Sequence, residues 1–577
     1  MHRSATGKPA ALWRFLAILM ALVLVAGACG DDDDDATDTT LGGTEDTEPV
    51  DEGEPQIGGS LTVGLEAETN SWLPGESAIA SPGWEINVTL FDQLMARSDD
   101  GEIVPFLAES LEPNEDLTEW TLTLREGVTF HDGTPLNAEA LKYNFDNLLT
   151  REGANTRGTL TDQGTLVQME VVDDLTVTYV LPRTNGAFAE NLTGVIGSPF
   201  SPAAHQQFGE DAGSNPVGTG PYQFVSWSRD DRLVVRRNDN YWREGIPYLD
   251  EIVFRPIPDE DTRLASLLSG EIQGLETLRQ SIVTQIIERA DQGDVQQRLF
   301  IGSNGGGAIY NVLEAPVDDQ RVRLGLAHAI DQEQLIDVLG GTGFTPPQTQ
   351  YWSNESPWYS EDVADAWPAF DPDRATELLD EYRNDPNRSD GKAAGSPIAV
   401  QFNCPPDPSL IELSQAYQAF WNNVGVEVQL TQVEQAQHIQ NAIGSPDSDP
   451  PFRGTYMINC WRMGSEADPY IILKDAFGPV ESSPVNFINY VNPTVDENLE
   501  VLRTSNDFDE RYAAAEAIMM LFTEEVPNLW TGATAISIGL GKDLRGWRSM
   551  ELPEGQTRMP SGEGNVVYWP TVWIDQG

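Results

Sequence analysis

The sequence has few basic residues for its length. Lysine and arginine together number 34, against 92 aspartates and glutamates, which gives a formal net charge of -58. The lysines are Lys8, Lys142, Lys392, Lys474 and Lys542. A protein that binds nucleic acid needs basic surface to neutralise phosphates, so we predict no nucleic-acid partner. The charge is typical of an acidic, well-solvated surface suited to salt or to an acidic cell envelope.

Histidine and cysteine are also scarce, and neither follows a common catalytic pattern. The five histidines are scattered: His2, His131, His205, His328 and His438. The chain has no HExxH, no CxxC, no GxSxG and no phosphate-binding loop. His131 and Asp132 are adjacent, but no nucleophile accompanies them, while abundant Asp and Glu leave paired catalytic carboxylates open. We predict that the protein is not an enzyme and has no catalytic residue, metal or cofactor.

One long apolar run is present, at the start of the chain. Basic Arg3, Lys8 and Arg14 precede an apolar stretch at residues 15–26, and small residues follow up to Cys29. This is the three-part layout of a signal peptide, which we place at residues 1–28. The pattern ending in Cys29 resembles a bacterial lipobox, in which the cysteine is lipidated. Ordinary signal-peptidase cleavage after Ala28, leaving Cys29 unmodified, is the alternative.

An acidic segment follows the predicted cleavage point. Residues 29–57 contain five consecutive aspartates, several threonines and glycines, and almost no large apolar side chain. Such a segment cannot bury enough surface to offset its ordering entropy, so we predict a disordered tether behind lipidated Cys29. Calcium binding by the aspartate run is the alternative, but the run lacks the alternating ligands and turn glycine of a calcium loop.

The rest of the chain has the pattern of a mixed α/β protein. Apolar residues alternate around Trp120 and around Val177, which predicts strands, and a helical pattern capped by Asn137 lies between them. Residues 398–432 read as strand, helix and strand, with a further strand at 457–461. Ligands of open α/β sheets bind beyond the carboxyl ends of the strands, which places Cys404, Cys460 and Trp461 near the rim of a cleft.

The cysteine count indicates how the two cysteines near this rim are linked. If Cys29 is lipidated, Cys404 and Cys460 remain as an even pair in an oxidising compartment. If their strands are neighbours, we expect these two residues to form a disulfide.

Four ordered motifs resemble family 5 of the bacterial extracytoplasmic solute-binding proteins. The motifs are WTLTLREGVTFHDG at 120–133, PVGTGPY at 216–222, NDNYWREGIPYLDEIVFRPI at 238–257 and DQRVRLGLAHAID at 319–331. The family contains oligopeptide, dipeptide and nickel receptors of ABC importers. The resemblance implies a monomeric receptor, outside the cytoplasm, that delivers ligand to permease subunits with a separate ATPase.

The resemblance also implies the fold and its division into lobes. The expected fold is a two-lobed periplasmic-binding-protein clamp of type II with an extra subdomain. Lobe I comprises residues 58–76, 215–304 and 530–577, its extra subdomain 77–214, and lobe II 305–529. The chain should cross between the lobes near residues 302–307 and 527–534, where closure would occur.

The ligand residues are expectations from the resemblance. Peptide-binding relatives often carry an aspartate shortly after the position of Trp461, but here Gly464 stands where that carboxylate is expected. The candidate ligand-binding residues are Trp461, Arg462, Glu466, Asp468, Trp84, Asn87, Tyr351 and Trp352. Glu466 or Asp468 is a substitute for the missing carboxylate, and Arg462 either faces an anionic ligand or lies exposed. Gly218 and Gly220 are interpreted as turn glycines.

Peptide is therefore the favoured ligand class. A metal chelate or a sugar oligomer is the alternative within the same class of receptor. A sensor or folding helper that keeps the clamp, and a surface exopeptidase, are the rival functions.

Overall fold

The computed structural model describes most of the chain beyond the predicted tether. The described residues are 53–76, 81–150, 160–162, 165–354, 356–444, 453–462, 468–479, 486, 488–558 and 567–577. The predicted signal peptide, Cys29 and nearly all of the predicted tether lie outside them. Within the described ranges, no helix has both the length and the apolar character needed to cross a membrane.

Many helices begin at an acidic or hydroxyl side chain that accepts a backbone N–H. The α-helices of the described ranges are α1 Ser81–Leu90, α2 Ala138–Thr150, α3 Pro202–Phe208, α4 Glu260–Ser269, α5 Gln280–Asp291, α6 Gln320–His328, α7 Gln332–Leu339, α8 Glu361–Ala366, α9 Pro372–Arg383, α10 Pro408–Asn423, α11 Gln435–Ile443, α12 Pro469–Phe477, α13 Pro493–Thr504 and α14 Phe508–Glu525. Aspartate caps α4, α6, α7, α9, α10, α12 and α14. Part of the acidic excess therefore stabilises helix starts, by capping and by the favourable helix dipole.

The strands form one long sheet and several small ones. They are β1 Ser60–Leu65, β2 Met95–Arg97, β3 Ile103–Pro105, β4 Ala108–Pro113, β5 Glu119–Leu124, β6 Thr161–Asp162, β7 Thr165–Leu166, β8 Gln168–Val171, β9 Thr176–Val180, β10 Tyr222–Ser228, β11 Arg232–Arg237, β12 Glu251–Pro256, β13 Gly274–Thr277, β14 Val295–Tyr310, β15 Ile398–Cys404, β16 Val426–Gln432, β17 Ile458–Arg462, β18 Asn528–Gly541, β19 Leu544–Arg545, β20 Met550–Glu551, β21 Thr557–Arg558 and β22 Trp573–Ile574. The ten-stranded sheet has the order β10-β11-β12-β1-β13-β18-β14-β17-β15-β16.

Two long strands run through both halves of this sheet. β14 and β18 pair antiparallel, with interruptions of register between Gly302 and Gly306 and between Gly306 and Gly307. On one side of the interruption, Ile538 and Leu540 belong to a core built on β1 and β12. On the other side, Leu529 and Trp530 belong to a second core with β15 and β17. The chain thus has two lobes that share β14 and β18.

Lobe II contains the predicted strand–helix–strand unit. β15 pairs with β16 in parallel from Ile398 opposite Val426 to Cys404 opposite Gln432, and β17 pairs with β15 in parallel. Helix α10 covers one face of these strands, where Tyr417 and Trp421 stack with ring centroids 5.3 Å apart. The alternating apolar residues of β15 face that helix, so the pattern predicted both the strand and its buried face correctly.

The extra subdomain has its own sheet and core. Its strands have the order β4-β5-β9-β8, and β5 pairs antiparallel with β9. The alternating side chains predicted around Trp120 and Val177 are buried in this core. Asn137 caps α2, because its side-chain oxygen accepts the Ala140 N–H at 2.9 Å. Both strand patterns and the helix start are therefore confirmed.

The second motif meets the first through His131, and this contact corrects the interpretation of two glycines. His131 accepts the Gly218 N–H at Nδ1 (3.3 Å) and donates from Nε2 to the Gly220 carbonyl (2.9 Å). Neither glycine has a positive φ. A Cβ atom on Gly218 would lie 2.2 Å from the Leu90 carbonyl oxygen, and one on Gly220 2.7 Å from it. These glycines permit close approach to α1 and are not required by a turn.

Asp132, the neighbour of His131, is also held by hydrogen bonds within the protein. Its carboxylate accepts the Ser201 hydroxyl, and it accepts both the N–H and the hydroxyl of Thr134. These hydrogen bonds hold the pKa of Asp132 below its usual value despite partial burial. His131 and Asp132 therefore hold the loop after β5 in place.

The third motif encloses a buried carboxyl group. Asp92 accepts hydrogen bonds from Tyr241 Oη at 2.9 Å and from Trp242 Nε1 at 2.8 Å. Burial raises the pKa of Asp92 to about 7. The tyrosine and tryptophan of the motif thus attach the segment after β11 to the end of α1.

Candidate functional site

The carboxyl ends of parallel strands from both lobes meet in one place. In lobe I, β1 and β13 run parallel, and Glu66 and Leu278 directly follow them. In lobe II, β15 is followed by Asp407 at the start of α10. Glu66, Leu278 and Asp407 line the same small cavity, of about 30 Å³. The lobes therefore face each other across a cleft at the strand ends, the usual ligand position in open α/β sheets.

A larger cavity of about 110 Å³ adjoins this one beside the connecting strands. We call it the hinge cavity. Its walls come from lobe I (Leu278, Gln280), from lobe II (Leu335, Leu339, Leu413, Trp461) and from the connecting strands (Gly307, Gly532). Because both lobes contribute walls, the cavity changes shape whenever the lobes move relative to each other.

Trp461 lies in this wall for a local reason. It is in β17, where Ile458 and Cys460 point into the core of lobe II, so strand alternation directs Trp461 to the other face. It pairs with Gly307 of β14, at the interrupted register. The sequence thus placed Trp461 at a cleft, and in the structure it lines the hinge cavity.

His438 supports the Trp461 ring from behind. The two rings stack with centroids 5.8 Å apart and an interplanar angle of 25°. His438 Nε2 donates to the Cys460 carbonyl at 3.0 Å, and burial lowers the pKa of His438. A neutral imidazole therefore packs against Trp461 at neutral pH. Sequence reasoning noted His438 only as one of five scattered histidines.

The same strand carries one half of a disulfide. Cys404 and Cys460 are bonded, and their Cα atoms are 5.1 Å apart, within the usual range for a disulfide. Phe402 pairs with Ile458 and Asn403 with Asn459, which brings the next residue of each strand side by side. The bridge joins the two strands whose ends form the lobe II side of the cleft.

The two lobes touch near the hinge cavity and also at the extra subdomain. Near the hinge cavity, Thr345 of lobe II donates to Gln280 Oε1 at 2.6 Å, and Thr284 of α5 donates to the Gly340 carbonyl at 3.1 Å. At the extra subdomain, the Gly186 N–H donates to the Arg503 carbonyl at 2.8 Å. The conformation described here is therefore one in which the lobes are in contact.

The side chains of three other candidate residues are already engaged within lobe II. Asp468 caps α12 through the Tyr470 N–H, and both of its oxygens accept from Arg511 Nη2 at 2.6 Å. A carboxylate held in this way is already paired, which corrects its assignment as a ligand anchor. Tyr351 and Trp352 are 0% and 1% exposed in the lobe II core, where their rings pack edge to face. We therefore leave all three out of the proposed site.

Of the remaining candidates, Trp84 and Asn87 lie within the described residues, and Arg462 and Glu466 do so only in part or not at all. Trp84 is half-buried next to Gly194, and Asn87 is buried in α1, with its amide nitrogen and oxygen both out of hydrogen-bond reach of the described part of the protein. Arg462 is the last residue of β17, opposite Gly306. Its side chain and the whole of Glu466 and Gly464 lie outside the described residues.

The lobe I side of the site was missed by sequence reasoning. Leu278, Arg279 and Gln280 follow directly after β13, a strand of four residues. The strand-end rule that located Trp461 would have located them too, had so short a strand been recognised.

Arg279 lies near Asp261 (3.4 Å) and Glu260 (3.9 Å), so its charge is compensated within lobe I. Burial, followed by the charge of Glu66, raises the pKa of Glu260.

Two lobes joined by a pair of long strands, with a cavity between their facing strand ends, define a solute-binding clamp. The family model of the bacterial extracellular solute-binding proteins, family 5, matches residues 102–469. The chain belongs to this family, and the resemblance and the fold class expected from the sequence are confirmed.

Relatives and solved structures agree with this assignment. The glutathione-binding protein GsiB of Salmonella typhimurium is 28% identical over 459 residues, which cover 76% of this chain and 82% of that protein. The oligopeptide-binding protein AppA of Bacillus subtilis, solved with a nonapeptide, has a TM-score of 0.71 at 19% identity and covers 90% of this chain and 100% of that chain. DppA of Helicobacter pylori, solved with the peptide STSA, has a TM-score of 0.72 at 19% identity, covering 90% and 99%.

Membership of this family establishes the general role of the protein. The protein is the extracytoplasmic substrate-binding protein of an ABC importer, and it works with the permease components of that importer. Proteins of the family bind solutes and are not enzymes.

Proposed function

We propose that the protein captures short peptides between its lobes and delivers them to its permease. The observation that carries this proposal is the cavity at the facing strand ends, with Trp461 in its wall. The names of the relatives support it, because glutathione is a peptide and two similar folds were solved with peptides. We propose Trp461 as a contact residue through its apolar ring, with Arg279 and Gln280 as part of the opposing wall, and retain Trp84, Asn87, Arg462 and Glu466 as further candidates.

Titration with trialanine and with glutathione tests this proposal. At least one of these peptides is expected to bind the purified protein and to be recovered uncleaved. Trp461→Ala is expected to weaken that binding about 10- to 100-fold, because it removes a large apolar contact worth roughly 1.5–3 kcal/mol. Isothermal titration calorimetry measures the affinity, and mass spectrometry of the recovered peptide detects cleavage.

Trp227→Ala is the matched control for that substitution. Trp227 is also half-buried, but it lies in β10 and packs on Trp72, away from the hinge cavity. Its replacement should leave peptide affinity unchanged. Equal affinity of wild type and Trp461→Ala, or recovery of cleaved peptide, would refute the proposed role.

The proposed motion is closure about the two connecting strands. Residues 302–307 and 527–534 contain the interruption of register between β14 and β18, where the ladder is weakest. The lobe boundaries expected from the sequence place both segments at the crossing between lobes. We propose these segments as the hinge, with lobe I at residues 58–76, 215–304 and 530–577, its extra subdomain at 77–214, and lobe II at 305–529.

We further propose that the protein is a monomeric lipoprotein held at the outer face of the cell membrane by Cys29. The small residues before Cys29 and the acidic segment after it support this proposal. Cys29→Ser should release the protein from membranes, because it removes the acceptor of the lipid, and peptide affinity should not change. Cell fractionation and intact-mass analysis measure the outcome. Wild-type protein that is free in the medium and lacks an acyl group would instead support ordinary cleavage after Ala28.

A further inference from the structure

Gln280, Thr345 and Thr531, three polar residues that line the hinge cavity, are already hydrogen-bonded within the protein. Gln280 Nε2 donates to the carbonyls of Leu278 (3.0 Å) and Ala535 (3.2 Å), while its Oε1 accepts from Thr345. The Thr531 hydroxyl is hydrogen-bonded to Tyr417. A ligand that enters the cavity therefore meets side-chain amide and hydroxyl groups with little remaining capacity to bind it.

Much of the other lining surface is aliphatic. Beside Trp461 and Ala533, six large aliphatic residues contribute to it: Leu278, Leu335, Ile336, Leu339, Leu410 and Leu413. The charged lining residues are Arg279, which is compensated by Asp261 and Glu260, and Glu412, which is exposed. An anionic ligand group placed here would lose hydration without gaining a free counter-charge, because Arg279 is already compensated and Glu412 has the same sign.

The size of the cavity limits what it can accept. A dry cavity of about 150 Å³ lined by leucine, isoleucine and phenylalanine can hold benzene. At about 110 Å³, the hinge cavity has room for a branched aliphatic group.

We infer that the hinge cavity is a specificity pocket for one uncharged aliphatic side chain of the bound peptide. This inference rests on the proposed function and adds the ligand class that the site prefers. Because lobe I, lobe II and the connecting strands all line the pocket, an aliphatic group in it contacts both lobes at once. Such a group favours the closed arrangement over any arrangement in which the lobes separate.

A series of tripeptides on the wild-type protein tests the inference. Trialanine is compared with peptides in which one alanine is replaced in turn by leucine or by aspartate. At one position, leucine is expected to tighten binding about 10- to 100-fold, because the added methylenes are buried, and aspartate at that position is expected to weaken it.

A cavity-filling variant locates the effect. Gly532 has room for a side chain, because its Cβ would lie 3.8 Å from Ile336 and 3.9 Å from Thr345. Gly532→Leu is expected to abolish the leucine preference, measured as the ratio of the affinities for the leucine peptide and for trialanine. Gly541→Leu is the matched control, since Gly541 lies in the same strand with comparable space near Gln273, at the far end in lobe I. It should keep the preference.

The outcomes separate this inference from the proposed function. Leucine and alanine peptides that bind within threefold of each other at every position would overturn the inference while peptide binding stands. Failure of every peptide, trialanine included, would overturn both. A leucine preference that survives in Gly532→Leu would also overturn the assignment to the hinge cavity. The wild-type series decides the question even if Gly532→Leu does not fold.

Discussion

Replacing Glu85 by glutamine is expected to reduce the fall in the free energy of unfolding between pH 5 and pH 8.5. Glu85 lies in α1 and is 3% exposed, in surroundings that include Leu275, Ile538 and Trp569. Burial raises its pKa from 4.5 to about 8. The folded protein therefore holds a proton on Glu85 across a pH range in which the unfolded chain has released it.

The sign follows from this difference in bound protons. Because the folded pKa is the higher one, the stabilisation is complete below about pH 4.5 and is lost as the pH rises through about 8. At 1.36 kcal/mol per unit of pKa, the loss is roughly 4–5 kcal/mol. Asp92, with its pKa raised from 3.8 to about 7, adds a loss of the same sign. Glutamine does not titrate, so only the contribution of Glu85 disappears in the variant.

Urea unfolding at a series of pH values measures this effect. The difference in free energy of unfolding between Glu85→Gln and wild type should grow by several kcal/mol from pH 5 to pH 8.5. Glu139→Gln removes the same charge from an exposed position in α2 and should run parallel to wild type. Parallel curves for Glu85→Gln and wild type would show that Glu85 is ionised when buried, against our expectation.

Loss of the disulfide is the second large effect that we expect. The bond joins residues 56 apart in sequence, and both cysteines are buried. A link across a loop of that length restricts the unfolded chain and stabilises the protein by about 2–4 kcal/mol. The double variant Cys404→Ala and Cys460→Ala should have a free energy of unfolding lower by that amount. It should therefore unfold at a lower urea concentration than wild type. Buried thiols pack as small apolar groups, so alanine leaves only small voids.

The same variant should also bind peptide less tightly. Cys460 directly precedes Trp461, and its carbonyl accepts the His438 hydrogen bond that supports the tryptophan ring. Calorimetry with trialanine measures this second effect. Thiol titration of denatured, unreduced wild type should detect no free Cys404 or Cys460. Free thiols at both positions, or a double variant as stable as wild type, would contradict the prediction.

Local sequence patterns were sufficient for much of the lobe architecture. Alternation around Trp120 and Val177 predicted two strands, and Asn137 predicted a helix start that the structure contains. These features depend on contacts within a few residues, so periodicity and capping chemistry determine them. The four ordered motifs then specified the family, and with it the two-lobed fold.

The site could be predicted only in part. Strand alternation and the strand-end rule brought Trp461 to a cleft, but the opposing wall at Leu278–Gln280 comes from a strand of four residues nearly 190 positions earlier. Asp468 was a candidate for the missing carboxylate, and the fold places Arg511 beside it. Tyr351 and Trp352 were candidate ligand residues, and the fold buries them.

The sequence by itself determined much of the secondary structure, the family and the acidic, lysine-poor character of the chain. Only the tertiary structure decided which carboxylates are paired, which aromatic residues are buried and which glycines must approach another backbone, as Gly218 approaches Leu90. The physical reason is that periodicity shows which face of an element is buried. It does not show what covers that face, since the covering residues come from distant parts of the chain.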